Sequence, residues 1–528
     1  MNGKAATAAL RAPMLVALFT VAPLVEAVRC SSLSSLPGGD VWWHLSSGLW
    51  ILQNHALPHS GIFSQSSSNS WAAISWLYDL KLAIFYKLFG LRTIPIFAMS
   101  CKAGLAVIAF LLAGGCRRKF WSAVFLSALA QYILGPASPT PVYASIMFFG
   151  VELLLLLEIR RSLYSAGAPA RVPRAAWLLP PLFLGWANVD VHFVDGLVLL
   201  MVFFAASLLP SDFSCGPSGL ESSGPETHGS RRGLHSSAAS RLSLSNVAST
   251  TALRILLVIA SACLVATAIT PYFVQPYRVF LANVFSAANA YLPDFKAPGF
   301  RQPQDYVLLL LAMSAFFALG LRRSRDLFLI TILVIASALS FYSQRDVWLT
   351  VIVAVAVIGE MLLGSSPAAA TENPQLFFSP AKSFGLAFAA SFVVIALGAA
   401  TLTPRSQSAL LTKAAQSYPV DACNYIREHR LPQPIFNAFE WGGFLTYYLP
   451  EYPVAIDGRT DLYGDDFLVQ YSKAMSAEIR YTDFGPMAIA QTFLLPHTAI
   501  MAGALGSLPG YRVAYQDSVA TVIKKENP

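Results

Sequence analysis

The chain is 528 residues long, with 55% hydrophobic residues, 12% charged residues and a formal net charge of +8. Because an average soluble domain carries about 25% charged residues, this composition excludes one and indicates a multi-pass integral membrane protein. In that setting the surplus of Lys and Arg marks cytoplasmic loops rather than a nucleic-acid partner, and six scattered cysteines (Cys30, Cys101, Cys116, Cys215, Cys263, Cys423) indicate neither a disulfide framework nor a zinc site.

The N-terminus carries Lys4 and Arg11, an apolar run from Ala12 to Val25, then Glu26 and Arg29. A cleaved signal peptide has the same layout. A retained first helix is favoured because Leu10 to Val28 approaches the ~20 residues that cross a bilayer, with Lys4 and Arg11 holding the N-terminus in the cytoplasm.

Residues 30–92, too polar to lie in lipid, form a first outer loop with two segments of helical periodicity. From Asp40 to Gln53, Trp42, Trp43, Leu45, Leu49, Trp50 and Leu52 are mixed with Ser46, Ser47 and Gly48. From Trp71 to Phe89, Trp76, Leu80, Ile84 and Leu88 recur while Asp79, Lys81 and Lys87 interrupt. Tryptophan and snorkelling lysine favour the headgroup level, so both predict amphipathic interfacial helices.

Charge placement orients the spans that follow. If Thr93 to Gly114 crosses inward, Arg117-Arg118-Lys119 falls in the cytoplasm; Phe120 to Leu134 goes out, and Val142 to Ile159 returns to Arg160, Arg161, Arg171 and Arg174. Ala176 to Val189 and Phe193 to Leu209 form a tight out-and-back pair. Residues 211–250, rich in Ser and Gly and bearing Arg231, Arg232 and Arg241, predict a disordered cytoplasmic loop. Leu253 to Thr270 leads to a second outer loop, residues 271–303, and Gln304 to Leu321 returns to Arg322, Arg323 and Arg325. Leu327 to Tyr342, Val347 to Leu363 and Phe384 to Leu402 complete about eleven transmembrane helices, with every basic cluster on one face.

The division that follows is a mainly α transmembrane domain over residues 1–403 and a small soluble α/β domain over residues 404–528, which the alternation places outside the inner membrane. In the latter, acidic residues outnumber basic ones and short apolar runs end at turn residues. Pro419 to Arg430 and Asp465 to Ala477 read as helices, Pro434 to Asn437 and Val454 to Ile456 as strands, and Tyr511 to Tyr515 with Val519 to Lys524 as a closing hairpin.

Two sets of residues at the two ends of the chain carry a resemblance. Asp40-Val-Trp-Trp-His-Leu-x-x-Gly48 with the Pro58…Phe63-Ser64 turn resembles the first outer loop of bacterial multi-pass proteins assigned to the GT-C glycosyltransferase superfamily. Phe436-Asn437…Glu440-Trp441-Gly442-Gly443 and Ile456-Asp457-Gly458-Arg459-Thr460-Asp461-Leu462-Tyr463-Gly464 are similar to the C-terminal domain of the same proteins, and Trp186-Ala187-Asn188…His192-Phe193 fits between them. The resemblance implies a GT-C fold and transfer of a sugar, hexosyl or pentosyl, from a polyprenyl-phosphate donor to a glycan, lipid or protein acceptor. It also implies a catalytic acid in the first outer loop, here Asp40. A carboxylate that takes the acceptor's proton, or that holds a divalent cation acidifying it, lowers the barrier to attack at the anomeric carbon. Asp is equally suited to cap the helix that follows it.

Where relatives carry further acids in this loop, the chain has Ser60-Gly61-Ile62-Phe63-Ser64 and Ser75-Trp76-Leu77. A second carboxylate then comes from Asp190 or Asp195, with His192 beside them, which the topology puts level with Asp40; polar caps on a short turn are the plainer reading. His44 is a candidate phosphate or metal ligand, or an interfacial anchor beside Trp42 and Trp43, which flank the substrate path. Arg345, in Ser343-Gln344-Arg345-Asp346, is the candidate partner for a lipid phosphate unless it pairs with Asp346, with Arg278 and Arg301 as further options. Asp457, Arg459 and Asp461 suit a turn salt-bridge cluster or sugar hydroxyls. The alternatives to an enzyme are a catalytically silent GT-C-like scaffold or glycan-binding protein, and a transporter, which the clustering of acids at one face disfavours.

Overall fold

The structure, a computed structural model, describes residues 10–30, 39–116, 120–135, 139–164, 172–209, 250–292, 295–363, 382–404 and 406–526. Nearly all of the expected loop 211–250, with its three arginines, and Arg117-Arg118-Lys119 and Arg171 lie outside the described residues.

In chain order the helices of the first part are α1 (Arg11–Cys30), α2 (Asp40–Asn54), α3 (Trp76–Phe89), α4 (Thr93–Leu112), α5 (Phe120–Ile133), α6 (Pro141–Leu163), α7 (Leu179–Ala187), α8 (Phe193–Leu208), α9 (Thr250–Ala268), α10 (Gln275–Phe285), α11 (Pro303–Leu321), α12 (Leu327–Tyr342), α13 (Val347–Leu363) and α14 (Lys382–Leu402). Local sequence explains several boundaries. Pro141 opens α6, where its missing N–H costs no helical bond, and Arg160 and Arg161 close it, where cations suit the helix dipole. Asp326 caps α12 by accepting from Leu329 N at 3.3 Å.

Each of the eleven expected spans is helical, but by length and hydropathy five helices among the described residues qualify as full crossings, or up to six if α14 and the helix bent 78° from it are one. The helices are therefore established and the crossing count of eleven is not. One candidate crossing runs from Trp76 to Leu112, 37 residues, because α3 passes into α4 through a single 3-10 turn, Gly90–Arg92. At 1.5 Å per residue this is about 55 Å, well beyond the ~30 Å hydrocarbon layer, so α3 extends past the membrane core.

The bundle has two distinct ends. At the arginine end Arg160 pairs with Asp326, Arg161 pairs with Glu158 at 3.2 Å and with Glu360, and the C-termini of α6 and α13 meet the start of α12. At the loop end Arg92 donates to Thr403 Oγ1 at 3.0 Å and to Ala399 O at 2.8 Å, tying the α3–α4 junction to the last turn of α14.

After α14 come α15 (Gln407–Ala414), α16 (Val420–Glu428), β1 (Ile435–Asn437), α17 (Phe439–Tyr448), α18 (Asp465–Met475), β2 (Thr492–Pro496), α19 (Ile500–Gly506), β3 (Tyr511–Gln516) and β4 (Ala520–Lys525). The sheet has the order β1-β2-β4-β3, with β1 parallel to β2 and the other pairs antiparallel. The closing hairpin is found as expected. The expected strand Val454 to Ile456 is not a sheet strand; Val454 instead forms an isolated parallel bridge to Ser64 of the first loop. The central strand β2, an unbroken apolar run, was not anticipated.

The expected domain division at residue 403 separates segments that share one core. Val41, Trp42, Leu45 and Leu82 are buried with Tyr418, Phe444, Leu445 and Val522, and Ser46 Oγ accepts from Thr446 Oγ1 at 3.0 Å. The C-terminal segment covers the apolar face of α2. On α3 the buried face is Tyr78, Asp79, Leu82 and Ala83, while Leu77, Ile84 and Leu88 point outward. Trp42 is fully buried, with Phe444 and Tyr418 rings edge-on at 5.2 and 5.7 Å. Replacing it with Ala should cost about 3–5 kcal/mol, seen as a lower thermal unfolding midpoint of the purified chain; an unchanged midpoint would contradict its burial.

Candidate active site at the loop end of the bundle

The N-terminus of α2 rests on the C-terminal segment with almost no side chain between the backbones. Gly39 adopts φ +47°, open to glycine, and a Cβ there would lie 2.8 Å from Glu440 O. A Cβ on Gly443 would lie 2.7 Å from Gly39 O. This contact delivers Asp40, half-buried, to the Asp457-Gly458-Arg459 turn. Its Oδ1 accepts from Trp43 Nε1 at 3.2 Å, and a Cβ on Gly458 would overlap that same oxygen.

The turn itself is locked. Arg459 donates from Nε to Asp457 Oδ1 at 2.9 Å and from Nη2 to Oδ2 at 2.6 Å, and its own backbone N donates to Oδ1 at 2.9 Å. The guanidinium lies over the Trp71 ring at 4.8 Å, so the bidentate pair predicted at a turn also clamps the first loop. Further along that loop, Gln65 N donates to Val454 O and Val454 N to Phe63 O, both at 2.9 Å.

Behind Asp40, Trp43 stacks on His44 with ring centres 3.6 Å apart. His44 Nδ1 lies 2.6 Å from Asp79 Oδ1, and both residues are enclosed by protein. This corrects two expectations. His44 is a buried partner of Asp79 rather than a headgroup-level anchor, and Trp42 packs a core instead of lining a substrate path. Trp43 remains partly exposed beside Asp40.

A second cluster forms in the turn between α7 and α8. Asp190 has both oxygens engaged: Oδ2 accepts from Ser145 Oγ at 2.6 Å and Oδ1 from Val191 N at 2.9 Å. Trp186 Nε1 donates to the same Ser145 oxygen at 2.7 Å. His192 Nδ1 lies 2.7 Å from Asp195 Oδ2, and its Nε2 faces Arg345 Nη2 at 3.3 Å. Arg345 also sits over the Phe295 ring at 5.1 Å, so it is held by His192 and Phe295. Burial pulls the His192 pKa down, but Asp190 and Asp195 outweigh it and hold it above the ordinary histidine value despite the opposing charge of Arg345. Asp346 moves up, chiefly through burial.

The 30–92 loop, the 188–195 turn and the 271–303 loop meet. Trp76 Nε1 donates to Asn188 Oδ1 at 3.0 Å, Tyr272 OH donates to Pro58 O at 2.9 Å, and Ala72, Ile74 and Val191 pack with Tyr272 and Phe280. Ser286 Oγ and Ala287 N donate to Asp465 at 2.6 and 2.8 Å, joining the second loop to α18. Arg278 is exposed on α10 and Arg301 is exposed before α11; neither joins these clusters. A groove of about 690 Å³ is lined by Trp76, Leu77, Leu184, Asn188, Ile269 and Phe273. Among the described residues no group of three or more His, Cys, Asp or Glu is placed to hold a metal ion; the divalent cation left open by the sequence has no built site there.

Ser145 and Glu152 are not among the expected site residues, and Asp79 and Gly458 stand in the sequence without the contacts that the fold gives them. Asp79 and Glu152 were visible as acids in apolar helices, the pattern that marks a buried polar contact. Glu152 is fully buried on α6, two turns from Ser145, and neither of its oxygens has a partner among the described residues. The importance of Gly458 depends on what opposes it, which no local pattern records.

No protein-family model matches the sequence, and no curated protein matches it. Solved structures do. The archaeal oligosaccharyltransferase AglB from Archaeoglobus fulgidus, in complex with an inhibitory peptide and a dolichol-phosphate, matches with TM-score 0.50 and 12% identity over 92% of this chain and 68% of that one. ArnT from Cupriavidus metallidurans bound to undecaprenyl phosphate matches with TM-score 0.44 and 14% identity over 96% and 97% of the two chains. The AglB match shows a fold shared with that structure.

The His192 network sets a pH dependence. A raised folded pKa gives a contribution to stability that is complete below the unfolded value of about 6.5 and is lost as pH rises through the folded value. The stability difference between wild type and His192→Gln should therefore shrink as pH rises above 6.5. Thermal unfolding of both chains across that range checks it, and a difference that grows with pH would reverse the assignment.

Proposed function

We propose that the protein is a membrane glycosyltransferase that moves a sugar from a polyprenyl-phosphate donor to an acceptor hydroxyl at the extracytoplasmic face. The observation that carries this reading is a half-buried carboxylate, Asp40, held by both ends of the chain at the loop end of the bundle, where an apolar groove also opens. Trp76, which lines the groove, belongs to the same apolar cluster as Trp43 and Trp71. The positive-inside rule supports a cytoplasmic arginine end, which puts the N-terminus in the cytoplasm and Asp40 and the C-terminal segment outside the inner membrane.

In this reading the polyprenyl chain lies in the groove and its phosphate reaches the turn that follows Asn188. The acceptor oxygen forms a bond to the anomeric carbon while the bond from that carbon to the phosphate oxygen breaks, leaving the electron pair on the phosphate. The acceptor proton passes to Asp40. Arg345 neutralises the departing phosphate, and Asp195 and His192 orient it. When His192 carries one proton, on Nδ1, its Nε2 accepts from Arg345. A second proton turns Nε2 into a donor and releases the guanidinium towards an anion. Asp190, with both oxygens engaged, holds the turn to α6 and does not touch the sugar. The donor sugar, hexosyl or pentosyl, and the acceptor are set by contacts that a ligand-bound state would define.

Asp40→Asn should lower consumption of a labelled undecaprenyl-phosphate hexose by about 10²- to 10⁴-fold with expression and membrane insertion unchanged. Full turnover in that variant removes Asp40 from the mechanism. Binding of the lipid by wild type without turnover would instead favour the silent scaffold. Arg345→Ala should weaken donor use while leaving the unfolding midpoint of the Asp40 region unaffected, read as loss of turnover at matched folded fraction.

A further inference from the structure

The sterics at Gly458 are unusual for a turn glycine. Its φ lies outside the left-handed region, so the backbone there suits any residue. What excludes a side chain is Asp40: a Cβ at position 458 would overlap Asp40 Oδ1, lie 3.2 Å from Asp40 Cγ and lie 3.0 Å from Trp43 Nε1. The turn cannot retreat. On one side Asp457 and Arg459 form a buried bidentate pair under Trp71. On the other, α17 packs so closely that a Cβ on Gly442 would lie 2.6 Å from Asp457 Cα.

From this we infer that the Asp457-Gly458-Arg459 turn is a positioning element for Asp40: the C-terminal segment fixes where the carboxylate stands, with Gly458 as its bearing surface and Trp43 as the opposing hydrogen-bond donor. The inference rests on the reading of Asp40 as the proton acceptor, and it extends that reading by making the C-terminal segment a wall of the reaction site rather than a cover over it. Loss of about 1 Å in the placement of a reacting group costs on the order of a hundredfold in rate, and a methyl group at position 458 demands a displacement of that size.

The test uses the full-length chain in nanodiscs, with Gly458→Ala, Asp40→Ala, the double variant and Gly503→Ala, whose Cβ meets nothing within 4 Å. Three quantities are read: the unfolding midpoint, the Trp43 indole N–H resonance assigned with Trp43→Phe, and consumption of undecaprenyl-phosphate hexose. Gly458→Ala should lower the midpoint and shift the Trp43 resonance more when Asp40 is present than in the Asp40→Ala background, where the clashing oxygen is gone and only the 3.0 Å approach to Trp43 Nε1 remains. It should also lower kcat about a hundredfold with KM for the donor unchanged. Gly503→Ala, at an exposed position inside α19, should lower none of the three, leave the Trp43 resonance and turnover as in wild type, and raise the midpoint slightly. Equal effects of Gly458→Ala in both backgrounds, or none in either, overturn the inference, as does full kcat in Gly458→Ala. If the wild-type chain consumes no donor, the sugar-transfer reading fails, and the midpoint and resonance coupling still decide whether the turn fixes Asp40.

Discussion

The contact of backbone on backbone between Gly39 and the start of α17 is the constraint from which the rest of the loop end follows. It requires glycine on both sides, at Gly39 and Gly443, and it fixes the origin of α2. Once that origin is set, Trp42 falls into the core of the C-terminal segment, His44 falls onto Asp79, and Asp40 falls against Gly458. Apolar burial supplies the force that holds the contact closed. The small residues determine how close the approach can be.

Two histidines are built on one plan. His44 and His192 each present Nδ1 to a carboxylate, Asp79 at 2.6 Å and Asp195 at 2.7 Å. The difference lies in what reaches the other nitrogen. His192 meets Arg345, which leaves a charged group able to turn towards an incoming anion, whereas His44 sits under Trp43 and is closed off. The two histidines are equally buried, and the second nitrogen of one meets a cation while the other ring is stacked on an indole, a distinction made by neighbours rather than by residue type.

Much of this was legible in the sequence. Hydropathy and arginine placement located the helices of the bundle, and the Asp40 and Asp457 motifs marked the two segments that meet. The failures have physical causes. Trp42 reads as an interfacial residue because tryptophan suits both a headgroup region and a core, and only the partner 400 residues away, across Ser46 and Thr446, decides between them. Strand β2 shows no alternation because both of its faces are covered, so its pattern matches a buried helix segment equally well. Val454 looked like a strand from its β-branched neighbours and pairs instead with Ser64, a register no local window contains. Asp79 was noted only as an interruption, since its histidine partner lies 35 positions earlier.

The bridge between Ser64 and Val454 also bears on when the protein can be finished. Its partners are 390 positions apart, and at 5–20 residues per second the ribosome needs roughly 20 to 80 s to supply the second after the first. Throughout that interval the first loop lacks the surface it is shaped to meet, and Val41, Trp42 and Leu45 lack the cover that Tyr418, Phe444 and Leu445 later give them. The carboxylate at Asp40 thus acquires its surroundings only after the 457–459 turn has been made, more than 400 positions later in the chain.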